Sequence, residues 1–165
     1  MQSKLEIIQH KIQPLEHLAR LVRQWKMLSR KVVFTNGCFD ILHRGHLTYL
    51  LQAADRGHHL VVGLNTDASV RRLKGEGRPV TDEYSRALNL AAQTYIDAVI
   101  LFDEETPLTL IQTLQPDVLV KGGDYTEATV VGADVVKRYG GQVEILPLVE
   151  GYSTTSFLEK LSIRS

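Results

Sequence analysis

Apolar positions recur in two alternating rhythms along the chain. Leu15, Leu18, Leu21, Val22, Trp25 and Leu28 fall at helical spacing and predict an amphipathic helix over 15–29. Directly after it, Val32, Val33 and Phe34 form a short unbroken apolar run, which predicts a buried strand over 31–36. Four more such runs follow: HLVVGLN at 59–65, DAVILF at 97–102, DVLVK at 117–121 and QVEILPL at 142–148. Helical patterns separate them. One runs from near Gly45 to Arg56, one is TDASVRRL, and a strong one covers 82–95. Another opens with Thr106 as N-cap and Pro107 at the first helical position. A further helix over 129–139 closes at Gly140 and Gly141, and a last one starts in STTSFLEKL. GEGRPVT reads as loop.

Strands alternating with helices imply an α/β fold with a mainly parallel sheet. The 165 residues suit one domain, here 31–165, preceded by an N-terminal helical extension over 1–30. Ligands of open parallel sheets sit beyond the carboxyl ends of the strands. The stretches that matter are therefore Asn36 to His46, Asn65 to Lys74, Asp103, Lys121 to Tyr125 and Gly151 to Thr155.

Charge narrows the classes. Lysine and arginine number 19, aspartate and glutamate 19, so bulk nucleic-acid or membrane binding has no support and local clusters must hold any anion. One cysteine, Cys38, leaves no intrachain disulfide. No apolar run is long enough to span a bilayer and the N-terminus lacks a signal-peptide core, so the cytoplasm is expected.

The chemistry concentrates in GCFDILHRGH, 37–46. Asn36, Gly37, Cys38 and Phe39 leave strand one with N–H groups that an anion could approach. Gly45 lets the chain approach again at the start of a helix, whose first turn offers free N–H groups and a positive dipole end. His43 and His46, three residues apart, add imidazole donors there. A lone histidine is more often a local cap or a surface group, but the pair with Gly45 at the ligand edge favours function. A zinc site from Cys38, His43 and His46 lacks a fourth ligand. Lys74 beside Gly75 is the first choice among the cations of RRLKGEGRP, against the plainer reading of a solvated loop. Lys121, ending a buried strand before Gly122, Gly123 and Asp124, is set against a simple strand-ending turn. Ser153, Thr154 and Thr155 stand at a helix start, where Ser156 and Glu159 would also make an ordinary capping box. No G-x-x-x-x-G-K-[ST], no G-x-G-x-x-G after strand one and no G-x-S-x-G is present.

FTNGCFDILHRGH, VVGLNTDASVRRLKGEGRPV, LVKGGDY and EGYSTT, in this order over 32–158, resemble the H-x-G-H nucleotidyltransferase superfamily. Within it they are most similar to the heptose 1-phosphate adenylyltransferase branch. Cytidylyltransferases carry an arginine shortly before E-G-I-S-T-T, where this chain has Leu148. The resemblance implies a Rossmann-like, five-stranded sheet flanked by helices. It implies AMP transfer from ATP to heptose 1-phosphate, giving ADP-heptose and pyrophosphate, for lipopolysaccharide or a related heptose glycan. His43, His46 and Lys74 would be catalytic. Asn36, residues 37–39 and Gly45 would hold phosphate, as would Ser153, Thr154 and Thr155. Gly122, Gly123 and Asp124 would border the nucleoside, and Asp40, Asn65 and Lys121 are expected substrate contacts. Mg²⁺ would be bound mainly through the ATP phosphates, with few protein ligands. A sugar kinase on a separate chain would make the acceptor, and a homodimer is open. The alternatives are a cytidylyltransferase acting on glycerol 3-phosphate or a similar alcohol phosphate, a non-catalytic nucleotide-binding regulatory module, and a structural subunit of a larger complex.

Overall fold

The computed structural model describes residues 2–149, 151, 152, 154, 155 and 158. Five strands form one wholly parallel sheet in the order β3-β2-β1-β4-β5: β1 (Val32–Gly37), β2 (His59–Asn65), β3 (Ala98–Phe102), β4 (Val118–Gly122) and β5 (Gln142–Leu146). The α/β expectation holds, and all five strands fall where the apolar runs place them. Helices connect them: α1 (Lys4–Gln9), α2 (Leu15–Met27), α3 (Arg44–Ala54), α4 (Asp67–Lys74), α5 (Glu83–Ala91), α6 (Leu108–Leu114) and α7 (Ala133–Arg138).

Alternation along each strand builds two cores, since successive side chains point to opposite faces. Val32 and Phe34 of β1 enter one core with Leu18, Ile111 and Val136, from α2, α6 and α7. Val33 enters the other with Leu50 of α3 and Leu90 of α5. Helix α2 is thus part of the first core, with Leu18 and Val22 almost wholly buried. The chain just before it extends the sheet edge, where Ile12 bridges Val99 of β3 in parallel.

The switch point lies between β1 and β4. Chain order runs from β1 to β2 and β3 on one side and to β4 and β5 on the other. Strands β1 and β2 stay in register through Gly37 and Leu64. The recorded partners of β1 and β4 end at Phe34 and Leu119. Beyond that point the two strands part at their carboxyl ends, and a crevice opens.

Several elements differ from the pattern. Helix α1 was not legible as a separate element; Ser3 and Glu6 form its capping box. Helix α6 starts at Leu108, with Pro107 in the capping position and no side-chain cap, so Thr106 does not cap it. The stretch over 129–139 splits into a 3₁₀ turn, Glu127–Thr129, and α7. Gly132 breaks it at φ 84°, and a Cβ there would sit 2.7 Å from Ile111 Cδ1. His59, at the start of β2, stacks on Trp25 at 4.0 Å between ring centroids and bonds Asp97 at 3.1 Å. The capping box of Ser156 and Glu159 lies outside the described residues, while Thr154, Thr155 and Leu158 are helical. Among the described residues no helix is long and apolar enough to cross a membrane.

Leu18→Ala should destabilise the fold by about 2–5 kcal/mol, the range for truncating a buried leucine. Urea unfolding measures this, and an unchanged midpoint would show that α2 does not share the core.

Candidate active site

The crevice widens into a cavity of about 610 Å³ at the carboxyl ends of the strands. Its wall brings together Asn36, Gly37, Cys38, Phe39, Asp40, His43, Gly45, His46, Asn65, Lys74, Lys121, Gly122, Thr154 and Thr155. Gly123 and Asp124 do not line it; they follow on the turn after β4, where Asp124 is exposed. Ser153 lies outside the described residues.

Strand β1 delivers its last residue, Gly37, under the ring of Phe39, with 3.0 Å from an added Cβ to that ring. Phe39 then turns the chain in the left-handed region, φ 42°. His43 is the N-cap of α3: its Nδ1 accepts the His46 backbone N–H at 3.3 Å. The local-cap reading and the site reading are therefore both true of this residue. The two imidazoles stack at 3.8 Å. A Cβ at Gly45 would come within 3.0 Å of the His43 ring and of Tyr152 Cβ, so only glycine leaves room for the pair.

Hydrogen bonds fix the ring protons. Because His43 Nδ1 accepts, its proton sits on Nε2, a buried atom without a partner among the described residues. His46 Nδ1 faces the Ile41 carbonyl at 3.1 Å and must donate to it. Its Nε2 is then a lone pair when the ring is neutral and a donor only when the ring is charged. Burial lowers the pKa of His43. Burial, with the neighbouring His43, pushes His46 down to about 4. Both rings are neutral at pH 7.

The expected substrate contacts are more occupied than their types suggested. Asp40 is buried and accepts from Arg78 Nε at 2.7 Å and from the backbone N–H groups of Val80 and Thr81. Burial opposes its ionisation, but these donors outweigh that and hold its carboxyl below the ordinary value. Asn65 is buried and donates to Ser69 Oγ at 2.9 Å. Lys121 is half-buried, donates to Asn36 Oδ1 at 3.2 Å and sits over the Tyr125 ring; burial lowers its pKa. Lys74, the last residue of α4, is exposed. Leu148 folds over the glycine turn, 2.9 Å from where a Gly122 Cβ would be.

Sequence reasoning missed Arg78, Glu105, Thr106, Tyr125 and Tyr152 in the wall. Arg78 was within reach, as one of the three other cations of RRLKGEGRP, and Tyr125 and Tyr152 lay inside the strand-exit stretches 121–125 and 151–155 without being singled out. Glu105 and Thr106 carried no ligand signal, because tertiary packing alone brings them to the crevice.

This sheet order, with an H-x-G-H turn at its switch point, is the architecture of Rossmann-like proteins of the nucleotidyltransferase type. The cytidylyltransferase-like family model matches residues 34–157, and the chain belongs to that family. Bifunctional protein HldE of Geobacter metallireducens is 58% identical over 151 residues, which are 92% of this chain and 31% of that protein. The same-named protein of Gluconobacter oxydans is 59% identical over 142 residues, 86% of this chain and 30% of its own length. The chain thus spans about a third of the length of these curated relatives. The crystal structure of the lipopolysaccharide core biosynthesis protein from Thermoplasma volcanium superposes with a TM-score of 0.61 and 28% identity, covering 75% of this chain and 99% of that one. Pantoate–β-alanine ligase from Francisella tularensis shares the fold at a TM-score of 0.59 and 12% identity, over 92% of this chain and 77% of its own.

The depressed His46 sets a stability window. From about pH 6.5 down to about 4, the unfolded imidazole takes up a proton that the folded one refuses. Stability therefore falls as pH drops through this window. Thermal unfolding of wild type and His46→Gln should show a shallower loss in the variant, and equal slopes would remove His46 as a cause.

Proposed function

We propose that the protein transfers AMP from ATP to heptose 1-phosphate, releasing pyrophosphate and ADP-heptose. The observation that carries this is the stacked histidine pair at the N-terminus of α3, with the buried His43 Nε2–H unpartnered among the described residues. The choice of heptose rests on the HldE relatives and on the likeness to a lipopolysaccharide core biosynthesis protein. The choice of ATP is supported by Leu148, an apolar cover on the glycine turn where cytidylyltransferases carry arginine.

A phosphate oxygen of the sugar attacks the α-phosphorus of ATP in line. The new P–O bond forms as the bond to the β-phosphate bridging oxygen breaks, and pyrophosphate leaves. That attacking oxygen is already ionised near neutral pH, so no general base is needed. The protein's work is to align two anions and to place donors where charge accumulates. His43 Nε2–H donates to the α-phosphate. His46 takes a proton from solvent as the incoming anion raises its pKa, and then donates through Nε2 while the Ile41 carbonyl keeps its ring oriented. Free N–H groups of the first turn and of α3 hold the same phosphate. Lys74 neutralises the triphosphate, and Ser153, Thr154 and Thr155 take the β- and γ-phosphates.

Asp40 acts by pinning Arg78 and the loop after α4 rather than by touching substrate. Lys121, the half-buried cation of the wall, serves the acceptor's phosphate. Among the described residues no three His, Cys, Asp or Glu side chains converge on a metal position. Mg²⁺, a hard cation that prefers oxygen, fits as a passenger on the phosphates beside Lys74 and the threonine hydroxyls. It would supply charge neutralisation there. Because ATP and sugar phosphates are cytoplasmic metabolites, we place the reaction in the cytoplasm. The sugar 1-phosphate must come from a kinase.

Pyrophosphate release with ATP or CTP, each against heptose 1-phosphate or glycerol 3-phosphate, should be fastest with ATP and the heptose. Turnover of CTP with glycerol 3-phosphate would instead make this a cytidylyltransferase. Nucleotide binding without turnover on either acceptor would make it a regulatory module. His43→Ala and His46→Ala should each lower kcat about a hundredfold, the loss for one transition-state donor; normal turnover in either folded variant would remove that histidine from the mechanism.

Triphosphate binding at pH 7 should take up protons, because only charged His46 donates. Calorimetry in buffers of different ionisation enthalpy reads this uptake. His46→Gln should abolish it, and uptake that persists in the variant would assign the proton elsewhere.

A further inference from the structure

Arg86 plays no part in the transfer chemistry above, yet it is the bulkiest fully buried side chain among the described residues. Arginine is rarely buried in full unless its donors are matched. Here four donors are matched, and their acceptors are four residues on three stretches of the chain. Nη1 donates to the carbonyls of Cys38 at 2.7 Å and Asn65 at 2.8 Å. Nε donates to the Thr81 carbonyl at 2.9 Å, and Nη2 to Asp67 Oδ1 at 2.7 Å. Those stretches are the exit of β1, the exit of β2 as it runs into the first residue of α4, and the loop into α5. Cys38 and Asn65 line the cavity, with Asp67 and Thr81 behind them.

The bond to Cys38 has a directional effect. In a trans peptide the C=O and the following N–H point in opposite directions. Drawing the Cys38 carbonyl into the guanidinium turns the Phe39 N–H away from it, toward the cavity that Phe39 lines. Among the described residues that N–H meets no acceptor. Phe39 itself sits at φ 42°, a conformation that a side chain rarely adopts without being held. The same guanidinium anchors Asp67, which begins the helix carrying Lys74, and Thr81, whose N–H bonds Asp40.

We propose that Arg86 is a positioning residue for nucleotidyl transfer: it sets the Cys38–Phe39 peptide so that the Phe39 N–H faces the reacting phosphate, and it fixes the start of the Lys74 helix on the same frame. This rests on the transfer reaction proposed above. A merely structural arginine would change the fraction folded; a positioning arginine changes what the folded fraction does.

The test compares Arg86→Lys and Asp67→Ala with wild type, using Leu18→Ala as a destabilised control remote from the cavity. Pyrophosphate release, normalised to the folded fraction by circular dichroism, gives kcat and KM. Iodoacetamide alkylation of Cys38, the single cysteine, reports the turn itself, with and without tripolyphosphate. The expected result is a kcat about tenfold lower or more for Arg86→Lys, the loss for misplacing a charge-assisted donor set, and a smaller drop for Asp67→Ala. Leu18→Ala keeps its kcat. Cys38 is alkylated faster in both arginine-frame variants, and tripolyphosphate protects it less than in wild type. The proposal is overturned if folded Arg86→Lys keeps wild-type kcat and alkylation rates. If Arg86→Lys does not fold, unchanged values in Asp67→Ala overturn it and lowered ones support it. Should the wild type turn over no substrate, the transfer reading fails by itself, while the alkylation rates still decide whether Arg86 sets the turn.

Discussion

Two neighbouring parallel strands that must part at one end set up everything else in this protein. Strands β1 and β4 lie side by side because the chain reverses its direction of travel across the sheet between them. Their connections leave on opposite sides, so no backbone covers the gap at their carboxyl ends. The sheet leaves unpaired N–H groups and a helix N-terminus facing that gap. A polar, anion-seeking crevice is the direct outcome of strand order, before any side chain is chosen.

The side chains then tune the crevice for charge that arrives with the substrates. The histidines are neutral on their own, held so by burial and, for His46, by the neighbouring His43 as well. A permanent cation pair there would repel itself, and it would bind ground state and transition state alike. A neutral His43 with its proton fixed on Nε2 can strengthen as charge builds on an anion, whereas neutral His46 presents a lone pair and donates only once it takes up a proton. Permanent charge sits at the rim on exposed Lys74 and, at depth, on Arg78 and Arg86, each held by a carboxylate. The geometry divides the labour: the first turn and α3 present free N–H groups to the crevice, while arginine–carboxylate pairs hold the loops around it in place.

Much of this was legible along the chain. The strands were readable because parallel strands buried on both faces leave short unbroken apolar runs. The histidine turn was readable because Gly37, Gly45 and two imidazoles within ten residues are locally coherent. Other features were not readable, for identifiable reasons. Helix α1 is too short and too exposed to leave a periodic trace. The break before α7 hangs on one glycine packed against Ile111 of another helix. Asp40 and Asn65 looked like free polar groups because their partners, Arg78 and Ser69, are distant or unremarkable in sequence. Arg86 read as one polar position of a helical pattern, and nothing local hinted at its burial.

The amino-acid sequence by itself determined the alternation of strands and helices, the sheet edge at which the crevice opens, and the identity of the histidine pair. These are local properties, set by side-chain periodicity and by a few adjacent residues. Only the tertiary structure decided which groups stay free to meet a substrate. Saturation of a carboxylate or a guanidinium depends on acceptors and donors from strands and loops tens of residues apart. Hydrogen-bond satisfaction is a global sum over the packed molecule, and no stretch of sequence carries that sum.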